Sequence, residues 1–453
     1  LCCEVCTPHV APCVVVSGRT SPYGPAAYTP GPQDQVSDVR IAFFIDDYLP
    51  SVHGVATSTA TFRAALERMG HEVYVVAPKA EGYEETDDHV IRLSSSRYYV
   101  FDSREVATIY PGLARRFDAY DFDVVHSQTQ FSLGVLAHWV AKRQNIPHVT
   151  TIHTLYTELI DDYPLAVVSG LLALSVAFPV ALKSLPVLPR VHRETIKHLN
   201  KRDMKMALSR QGWRLTAAFA NKCDACLSPS QHLARILIND GGLTVPCMVL
   251  PNGLDSSRYR SARAADSPIP KAPGEKIIIC VARLSPEKRQ MTLIEAMPHL
   301  ADMPVKLVLV GHGPSQEELG RRAEELGVAD RVVLTGKRSP EEVAVLLKQA
   351  DVFSLASYHF DNQPMVFLEA AACGLPIVYC DERMTECLTE RNAILTDGIE
   401  GEDFARVFAS LLFDDARLAE LSDGALEVAQ QFDSETMTRR LINLYEDLLV
   451  SYR

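Results

Sequence analysis

The sequence predicts an α/β protein built from two doubly wound domains, each with a parallel sheet flanked by helices. Short apolar strands alternate with helical patterns from Val39 to Ile152, and a second series of the same kind begins at Lys276. This alternation is typical of βαβ units, in which a helix connects two parallel strands. A length of 453 residues and a hydrophobic content of 47% suit two large globular domains.

The first series contains four strands and two helices. The strands are nearly continuous apolar runs, as expected for a parallel sheet that is covered on both faces. The helices repeat apolar residues at three- and four-residue spacing, which is typical of one buried helix face. The predicted elements are the strand Val39–Ile45, the helix Thr61–Met69, the strands His71–Val76 and Asp123–His126, the helix Leu133–Lys142 and the strand Pro147–Ile152.

The second series continues the same alternation. It contains the strand Lys276–Val281, the helix Met291–Leu300, the strand Val305–Val310, the helix Ser315–Leu326, the strand Arg331–Leu334, the helix Pro340–Gln349, the strand Val352–Leu355, the helix Met365–Ala372 and the strand Pro376–Tyr379. We expect an irregular extension at residues 1–38, a first domain at 39–247, a second domain at 248–430 and a C-terminal helix at 431–453 that returns to the first domain. Ligands of doubly wound sheets bind at the carboxyl ends of the strands, so the loops there form the candidate site.

The charge and cysteine content exclude several classes of protein. The chain carries 45 Lys and Arg against 57 Asp and Glu, a formal charge of −12, which disfavours nucleic acid as the partner. The seven cysteines from Cys223 to Cys387 lie among apolar neighbours and indicate reduced thiols in the cytoplasm. Because Cys223-x-x-Cys226 lacks a second ligand pair at metal spacing, we expect core thiols there.

One segment interrupts the regular alternation. Leu165–Leu182 contains no charged residue, and Arg190–Arg214 then carries eight Lys or Arg against two acidic residues. A buried helical hairpin and an interfacial membrane insertion both account for the apolar part. A basic helix beside it suits an anionic bilayer surface, although a charge run is also typical of a solvated face. The cations at four-residue spacing and the aromatic residue near the end of the run are Arg193, Lys197, Lys201, Lys205 and Trp213.

Two loops that follow predicted strands carry residues suited to an anionic ligand. Gly54 lies in the loop after the first strand, where a glycine lets a ligand approach the backbone and a helix N-terminus favours an anion. Arg283 and Lys288 lie five residues apart after the first strand of the second domain, where they could bind a diphosphate. Two solvated cations on an ordinary loop are the alternative.

An acidic motif follows the strand Val352–Leu355. Asp361 precedes the next predicted helix, and Glu369 lies inside it among apolar residues. A carboxylate in so apolar a helix is costly to bury unless hydroxyl or amide groups satisfy it. The neighbouring hydroxyls of a sugar would do this, whereas a solvated glutamate on the helix face is the alternative.

Taken in order, the motifs resemble those of the retaining nucleotide-sugar glycosyltransferases of family 4. The resemblance extends over about residues 39–450, and it implies the GT-B fold, with two Rossmann-like domains facing a central cleft. It is carried by Tyr48-Leu49-Pro50 with Gly54-Val55, His126-Ser127-Gln128, His153-Thr154-x-Tyr156, Ser228-Pro229-Ser230, Pro251-Asn252-Gly253-Leu254-Asp255, Arg283 with Lys288, Gly311-His312-Gly313-Pro314, and the pair Asp361 and Glu369.

The resemblance implies a role for each of these residues. Arg283 and Lys288 would neutralise the donor diphosphate, and Glu369 would hold the ribose hydroxyls. Asp361 would hold the transferred sugar and His153 would contact the sugar or the acceptor near the anomeric carbon, so these two are the expected catalytic residues. The other expected donor-binding residues are Gly54, Gly311, Gly313, Met365 and Val366. Family members of this type need no metal ion or other cofactor.

The resemblance also indicates an acceptor. Family branches that glycosylate membrane lipids have a hydrophobic and then basic region in the first domain, and residues 165–214 are similar in kind. We therefore expect a hexose, glucose or mannose, to pass from a UDP- or GDP-sugar to diacylglycerol or a phosphatidylinositol-type lipid at the inner face of the cell membrane. The expected acceptor- and membrane-facing residues are Tyr156, Arg193, Lys197, Lys201, Lys205 and Trp213.

Two positions depart from the family pattern and leave alternatives open. Asp361 stands where the family usually has Glu, and Pro364 stands where it usually has Gly, which removes a backbone N–H donor. The alternatives are a glycosyltransferase with a soluble or polysaccharide acceptor, a nucleotide-sugar epimerase or hydrolase on the same fold, and a non-catalytic scaffold.

Overall fold

The computed structural model describes residues 38–51, 53–98, 104–153, 178–182 and 201–452. They form two compact units. The first unit comprises the described residues up to Leu250 and those from Arg440 onward, and the second comprises Pro251–Arg439. The chain therefore passes from one unit to the other after Leu250 and again after Arg439. The domain limits expected from the sequence stay predictions.

The first unit is built on a parallel sheet of seven strands. The strands of this unit are β1 Arg40–Phe44, β2 Glu72–Pro78, β3 Val90–Leu93, β4 Ser95–Tyr98, β5 Arg104–Ala107, β6 Val124–Ser127, β7 His148–Thr151, β8 Ala225–Ser228 and β9 Cys247–Val249. The sheet has the order β3-β2-β1-β6-β7-β8-β9, and β4 and β5 form a separate antiparallel ladder. The order changes direction between β1 and β6, which is where doubly wound sheets bind their ligands.

Helices cover the faces of this sheet. Those of the first unit are α1 Gly54–Arg68, α2 Ser132–Gln144, α3 Lys201–Ala220 and α4 Gln231–Ile236, and the end of the C-terminal helix Ser434–Tyr452 packs with them. Burial of β1 on both faces explains its apolar sequence, because Ile41 and Phe44 are completely buried. A short 3-10 helix, Pro111–Phe117, adds Phe117 to the same core.

The second unit is built on a parallel sheet of six strands. They are β10 Lys276–Val281, β11 Val305–Val310, β12 Val332–Leu334, β13 Val352–Leu355, β14 Ile377–Tyr379 and β15 Ala393–Leu395. Their order is β12-β11-β10-β13-β14-β15, so the direction changes between β10 and β13. The helices are α5 Ser257–Ser261, α6 Gln290–Ala296, α7 Gln316–Glu325, α8 Pro340–Gln349, α9 Met365–Ala372, α10 Gly401–Leu411, α11 Asp415–Gln431 and α12 Ser434–Tyr452, of which the part from Arg440 belongs to the first unit.

The sequence predictions for β10, β11, α8, β13 and α9 are confirmed residue by residue, and most other predicted elements differ by one or two residues. The largest difference is at α1, which begins at Gly54 and not at Thr61. His53 explains the early start, since its side chain accepts a hydrogen bond from the N–H of Ala56 as a helix N-cap. The cysteines Cys223 and Cys226 are buried free thiols, as expected.

The apolar segment Leu165–Leu182 lies mostly outside the described residues. Within its described part, Phe178 and Leu182 are buried against Val135 and Phe219, so this short helical piece belongs to the core of the first unit. Among the helices that the structure describes, none combines the length and the apolar character that a membrane span requires.

Candidate active site

The carboxyl end of β1 leads into the loop from Asp46 to Gly54. The carboxylate of Asp46 accepts hydrogen bonds from the Ser132 hydroxyl at 2.5 Å, from the Thr129 hydroxyl, and from the N–H of Leu133 at 3.0 Å. Burial raises the pKa of Asp46. The side chain thus attaches the end of β1 to the beginning of α2 and fixes the start of the loop.

Gly54 is exposed at the first residue of α1. The preceding residue, His53, has its Nε2 atom 2.8 Å from the carboxylate of Asp47, so the backbone just before Gly54 is held in place. A Cβ atom built on Gly54 would meet no heavy atom of the described residues within 4 Å. Packing within that part of the protein therefore does not require a glycine here, and the approach of a ligand stays a prediction.

His153 lies two residues after the end of β7. Its Nε2 atom is 2.9 Å from Oε1 of Gln128, a buried residue that directly follows β6. Burial, together with the smaller effect of the nearby His53, lowers the pKa of His153 to about 3. The ring is therefore uncharged at physiological pH, and it lies at the carboxyl edge of the sheet, as the sequence predicts.

Lys288 and Asp361, predicted to bind diphosphate and sugar, lie together in the second unit. Lys288 Nζ is 2.6 Å from Oδ1 of Asp361 and 5.1 Å from the centre of the Phe360 ring. The Ser357 hydroxyl donates to the other carboxylate oxygen of Asp361 at 2.5 Å. These side chains come from the loops after β10 and β13, the two strands where the sheet order reverses. They place one cation and one carboxylate at the predicted ligand edge.

Arg283 lies in the same loop as Lys288, and its side chain is exposed. Its backbone carbonyl accepts a hydrogen bond from the side-chain amide of the buried Gln290 at 2.7 Å. The next residue, Leu284, donates its N–H to the carbonyl of His312 at 3.2 Å. The backbone around Arg283 is therefore fixed on both sides, and the predicted contact of its guanidinium with a diphosphate stays a prediction.

Close contacts with backbone oxygens explain why positions 311 and 313 are glycines, and the sequence alone does not reveal these contacts. A Cβ atom on Gly311 would lie 1.9 Å from the carbonyl oxygen of Ala282, and one on Gly313 would lie 2.2 Å from that of Leu284. Gly311 also has a φ of 146°, which L side chains rarely adopt. The two glycines thus let the loop after β11 contact the loop that carries Arg283. Their predicted contact with the donor stays a prediction.

Alanine at Gly313 is expected to lower the stability of the protein, whereas alanine at Gly54 is expected to weaken the binding of a nucleoside diphosphate. G313A places its methyl group on a backbone oxygen and should destabilise the second unit by about 3 kcal/mol. G54A meets no atom of the described residues, so stability should change by less than about 0.5 kcal/mol while the Kd for a nucleoside diphosphate rises. Urea unfolding and calorimetry measure both quantities. An unchanged Kd in G54A would contradict the predicted phosphate-bordering role.

The loop from Asp361 to Pro364 is held by a contact that sequence reasoning missed. Oε1 of Gln363 accepts a hydrogen bond from the N–H of Asn252 at 2.6 Å. Pro364 is the N-cap of α9, and its carbonyl accepts from the N–H of Phe367 at 3.1 Å. Gln363 therefore links the acidic motif to the Pro251–Asp255 motif, which the sequence shows as separate patterns.

Met365 and Val366 begin α9. Met365 is buried and Val366 is half-buried, and both pack with the hydrophobic core of the second unit. Their side chains are therefore core residues, and their N–H groups belong to the first helical turn, whose donors lack intrahelical acceptors. If these residues contact the donor, they would do so through their backbone N–H groups, and this contact stays a prediction.

Glu369 is half-buried within α9 and has a protein partner. The hydroxyl of the buried Tyr259 lies close enough to interact with its carboxylate, and Arg258 lies nearby. Burial is the main influence on Glu369 and raises its pKa. The predicted contact of Glu369 with the ribose hydroxyls of the donor stays a prediction.

The predicted membrane-facing residues are only partly accessible to description. Tyr156, Arg193 and Lys197 lie outside the described residues. Lys201 begins α3 and Lys205 follows in it, but their side chains also lie outside the description. Trp213 is half-buried and packs against the cluster around Ile152, Leu233 and Cys247. Packing thus accounts for much of the Trp213 surface, and its membrane role stays a prediction.

One group of side chains in the described residues has ligand atoms spaced for a metal ion. His359, Asp381 and Glu382 bring their atoms within 4.8 Å of one another. Asp381, however, is paired with the guanidinium of Arg383 at 2.8 Å and accepts the N–H of His359 at 2.7 Å. A carboxylate neutralised in this way is a weak ligand for a cation.

Two parallel sheets, each with polar and charged side chains at the strand ends where the order reverses, define the GT-B class of glycosyltransferases. Solved structures share this fold: Anabaena Alr3699/HepE in complex with UDP superposes with a TM-score of 0.64 at 19% identity, over 90% of this chain and 100% of that one. Sucrose-phosphate synthase from Thermosynechococcus elongatus gives a TM-score of 0.63 at 18% identity, over 91% and 100%.

The chain belongs to glycosyltransferase family 4. The Glycosyltransferase Family 4 model matches residues 52–258, and the model Glycosyl transferases group 1 matches residues 262–427. The alpha-monoglucosyldiacylglycerol synthase of Streptococcus pneumoniae is 28% identical over 75% of this chain and 70% of its own length. The synthase of the same name from Acholeplasma laidlawii is 25% identical over 91% and 98%. A GDP-mannose-dependent alpha-(1-6)-phosphatidylinositol monomannoside mannosyltransferase of Mycobacterium tuberculosis is 32% identical over 42% and 54%.

Proposed function

We propose that this glycosyltransferase moves a hexose, glucose or mannose, from a UDP- or GDP-sugar to a hydroxyl group of a membrane lipid, with retention at the anomeric carbon. The acceptor is diacylglycerol or a phosphatidylinositol-type lipid. The names of the relatives support both choices. Two are alpha-monoglucosyldiacylglycerol synthases, and one is a phosphatidylinositol monomannoside mannosyltransferase.

The observation that carries the donor proposal is the pair Lys288 and Asp361 beside the exposed Arg283. A leaving diphosphate gains negative charge, and fixed cations close to it stabilise the transition state. Asp361 holds the ammonium of Lys288 at 2.6 Å, so the cation is oriented before the donor binds. Asp361 then binds a sugar hydroxyl while Lys288 turns toward the phosphate oxygens.

The transfer step is the one that the resemblance to the retaining family implies. The acceptor hydroxyl attacks the anomeric carbon on the face that the diphosphate leaves, the bond from that carbon to the phosphate oxygen breaks, and the departing oxygen takes the hydroxyl proton. His153 contacts the sugar or the acceptor close to the reacting carbon. Since its ring is uncharged, it orients hydroxyl groups without repelling the positive charge that develops on the sugar.

A panel of radiolabelled UDP- and GDP-sugars with diacylglycerol and phosphatidylinositol vesicles tests this function. We expect label in an organic-soluble product with one donor and one lipid. Label that stays water-soluble with every lipid would reject the lipid acceptor. Free nucleotide with an altered sugar and no acceptor would indicate an epimerase or hydrolase, and the absence of any nucleotide binding would indicate a scaffold.

We also propose that the protein acts in the cytoplasm, peripherally at the inner face of the cell membrane, and needs no metal ion. The basic run that includes α3 supports binding to anionic lipid. Co-sedimentation with phosphatidylglycerol vesicles should decrease as salt rises from about 0.05 to 0.5 M. No binding at the lowest salt would count against the membrane proposal, and loss of transfer in EDTA that Mg²⁺ restores would count against metal independence.

A further inference from the structure

One pair of side chains connects β6 and β7, and a second pair connects the residues that follow these strands. His126 Nε2 lies 2.7 Å from the hydroxyl of Thr151, and Gln128 Oε1 lies 2.9 Å from Nε2 of His153. Both pairs join residues that are 25 positions apart, and the members of the second pair come two residues later in the chain, past the strand ends. The second pair is therefore a continuation of the first toward the carboxyl edge.

The C-terminal helix contributes a third side chain to the pair of His126 and Thr151, which we call the inner pair; the pair of Gln128 and His153 is the outer pair. The hydroxyl of Tyr445 lies 2.6 Å from Nδ1 of His126, and Tyr445, His126 and Thr151 are all buried. Burial lowers the pKa of His126 to about 3, so this ring is also uncharged. A fixed, neutral imidazole two residues before Gln128 leaves the backbone there little freedom. The N–H of Gln128 is itself bonded to the carbonyl of Phe44 at 2.8 Å.

The outer pair determines which nitrogen of His153 carries the proton. A carboxamide oxygen can only accept a hydrogen bond, so Nε2 of His153 must donate to Oε1 of Gln128. A neutral imidazole has one N–H, and Nδ1 therefore keeps its lone pair. In this tautomer the ring offers Nδ1 as an acceptor.

We propose that Gln128 is a positioning residue that holds His153 as the uncharged Nε2–H tautomer during glycosyl transfer. This inference rests on the proposed function, in which His153 contacts a hydroxyl group near the anomeric carbon. A carboxamide suits the task because it orients the ring without attracting a second proton to it. A carboxylate in its place would favour the imidazolium, which would repel the positive charge that develops on the sugar.

The other titratable groups that face His153 agree with a neutral ring. His53, from the loop before α1, acts on it electrostatically, and the carboxylate of Asp47 is 2.8 Å from the far nitrogen of His53. His126 is a further neighbour and is neutral. Among the described residues, the direct partner of Nε2 is thus the uncharged amide of Gln128.

Two substitutions separate positioning from simple packing. Q128E should raise the pKa of His153, so the acidic limb of the kcat profile moves to higher pH by more than about one unit. Q128L should lower kcat about tenfold at every pH while the donor KM stays within about twofold, because a lost hydrogen bond is worth about that factor. Gln130 is equally buried two residues further along, and Q130E adds the same charge without the contact. It should leave the acidic limb where it is.

Nitrogen-15 NMR of histidine-labelled protein tests the inference without relying on transfer. The chain has 14 histidines, and the signals of His153 are those missing in H153Q. The intact protein should show a protonated Nε2 and an unprotonated Nδ1, and Q128L should show both tautomers. A proton on Nδ1 in the intact protein, or an unchanged tautomer in Q128L, would overturn the proposal. If the tautomer is as expected but no lipid is glycosylated, the proposed function fails and the assignment of Gln128 as tautomer holder stands.

Discussion

Replacing Lys288 by alanine is expected to lower kcat/KM for the nucleotide-sugar about a hundred- to a thousandfold. The ammonium is a half-buried cation of the candidate donor site, and removing one group that stabilises developing charge has an effect of this size. The loss should appear mainly in kcat, since the negative charge on the diphosphate grows as the sugar departs. Steady-state kinetics with the donor found in the radiolabel panel measures it.

Lys306 offers a matched control for this substitution. It is similarly buried and bonded to a carboxylate, that of Glu275, at 2.9 Å, but it lies at the amino end of β11, away from the candidate ligand edge. K306A should therefore keep kcat/KM within about threefold of the original value even if it lowers stability. An equal loss in K306A and K288A would show that general destabilisation, and not the lost phosphate contact, explains the result.

Lowering the pH from 7.5 to 5.5 is expected to destabilise the first unit by about 5.5 kcal/mol. Four of its histidines have a pKa that burial lowers strongly: to about 3 for His126 and His153, to about 4 for His138, and well below 6.5 for His148. The unfolded chain takes up protons near pH 6.5, whereas the folded chain does not until pH 4 or lower. Stability is therefore present above pH 6.5 and is lost as the pH falls, by about 1.4 kcal/mol for each histidine.

Urea unfolding followed by tryptophan fluorescence measures this loss in the correct unit. Both tryptophans of the chain, Trp139 and Trp213, belong to the first unit. H138F removes one of the four titrating rings and should reduce the pH effect by about one quarter. H312Q changes an exposed histidine of the second unit and should not alter it. Equal unfolding free energies at the two pH values would contradict the assignment of these histidines as buried and neutral.

Local sequence patterns were sufficient to predict β10 to β14 and α6 to α9 of the second unit, whereas β15, α5, α10 and α11 were not predicted. Strands such as Val305–Val310 are apolar at every position except Lys306 because helices cover both faces of the sheet, and this signal needs no knowledge of neighbours. The strands β3, β4, β5, β8 and β9 of the first unit were not predicted either. Each has only three or four residues, such as Cys247–Val249, and a run of that length gives a weak signal.

The sequence predicts which residues of the candidate site follow strands, but it does not predict the contacts between them. Lys288 and Asp361 are 73 positions apart, and their ion pair follows from the neighbouring positions of β10 and β13, which no local pattern records. The contacts of Gln363 with Asn252 and of Tyr259 with Glu369 were missed for the same reason. The glycine at position 313 indicates that some atom lies close to its backbone, but the sequence does not reveal that this atom is the carbonyl oxygen of Leu284.

The contribution of Tyr445 to the first unit has a consequence for biosynthesis. A ribosome that has completed Leu250 has still to translate the whole second unit before the helix end from Arg440 emerges. At about 5–20 residues per second this takes on the order of 10–40 seconds. During that interval the imidazole of His126 lacks its hydrogen-bond partner, the hydroxyl of Tyr445, so a nascent first unit is an incomplete domain. Residues 38–250 expressed alone should therefore be a target for chaperones and proteases.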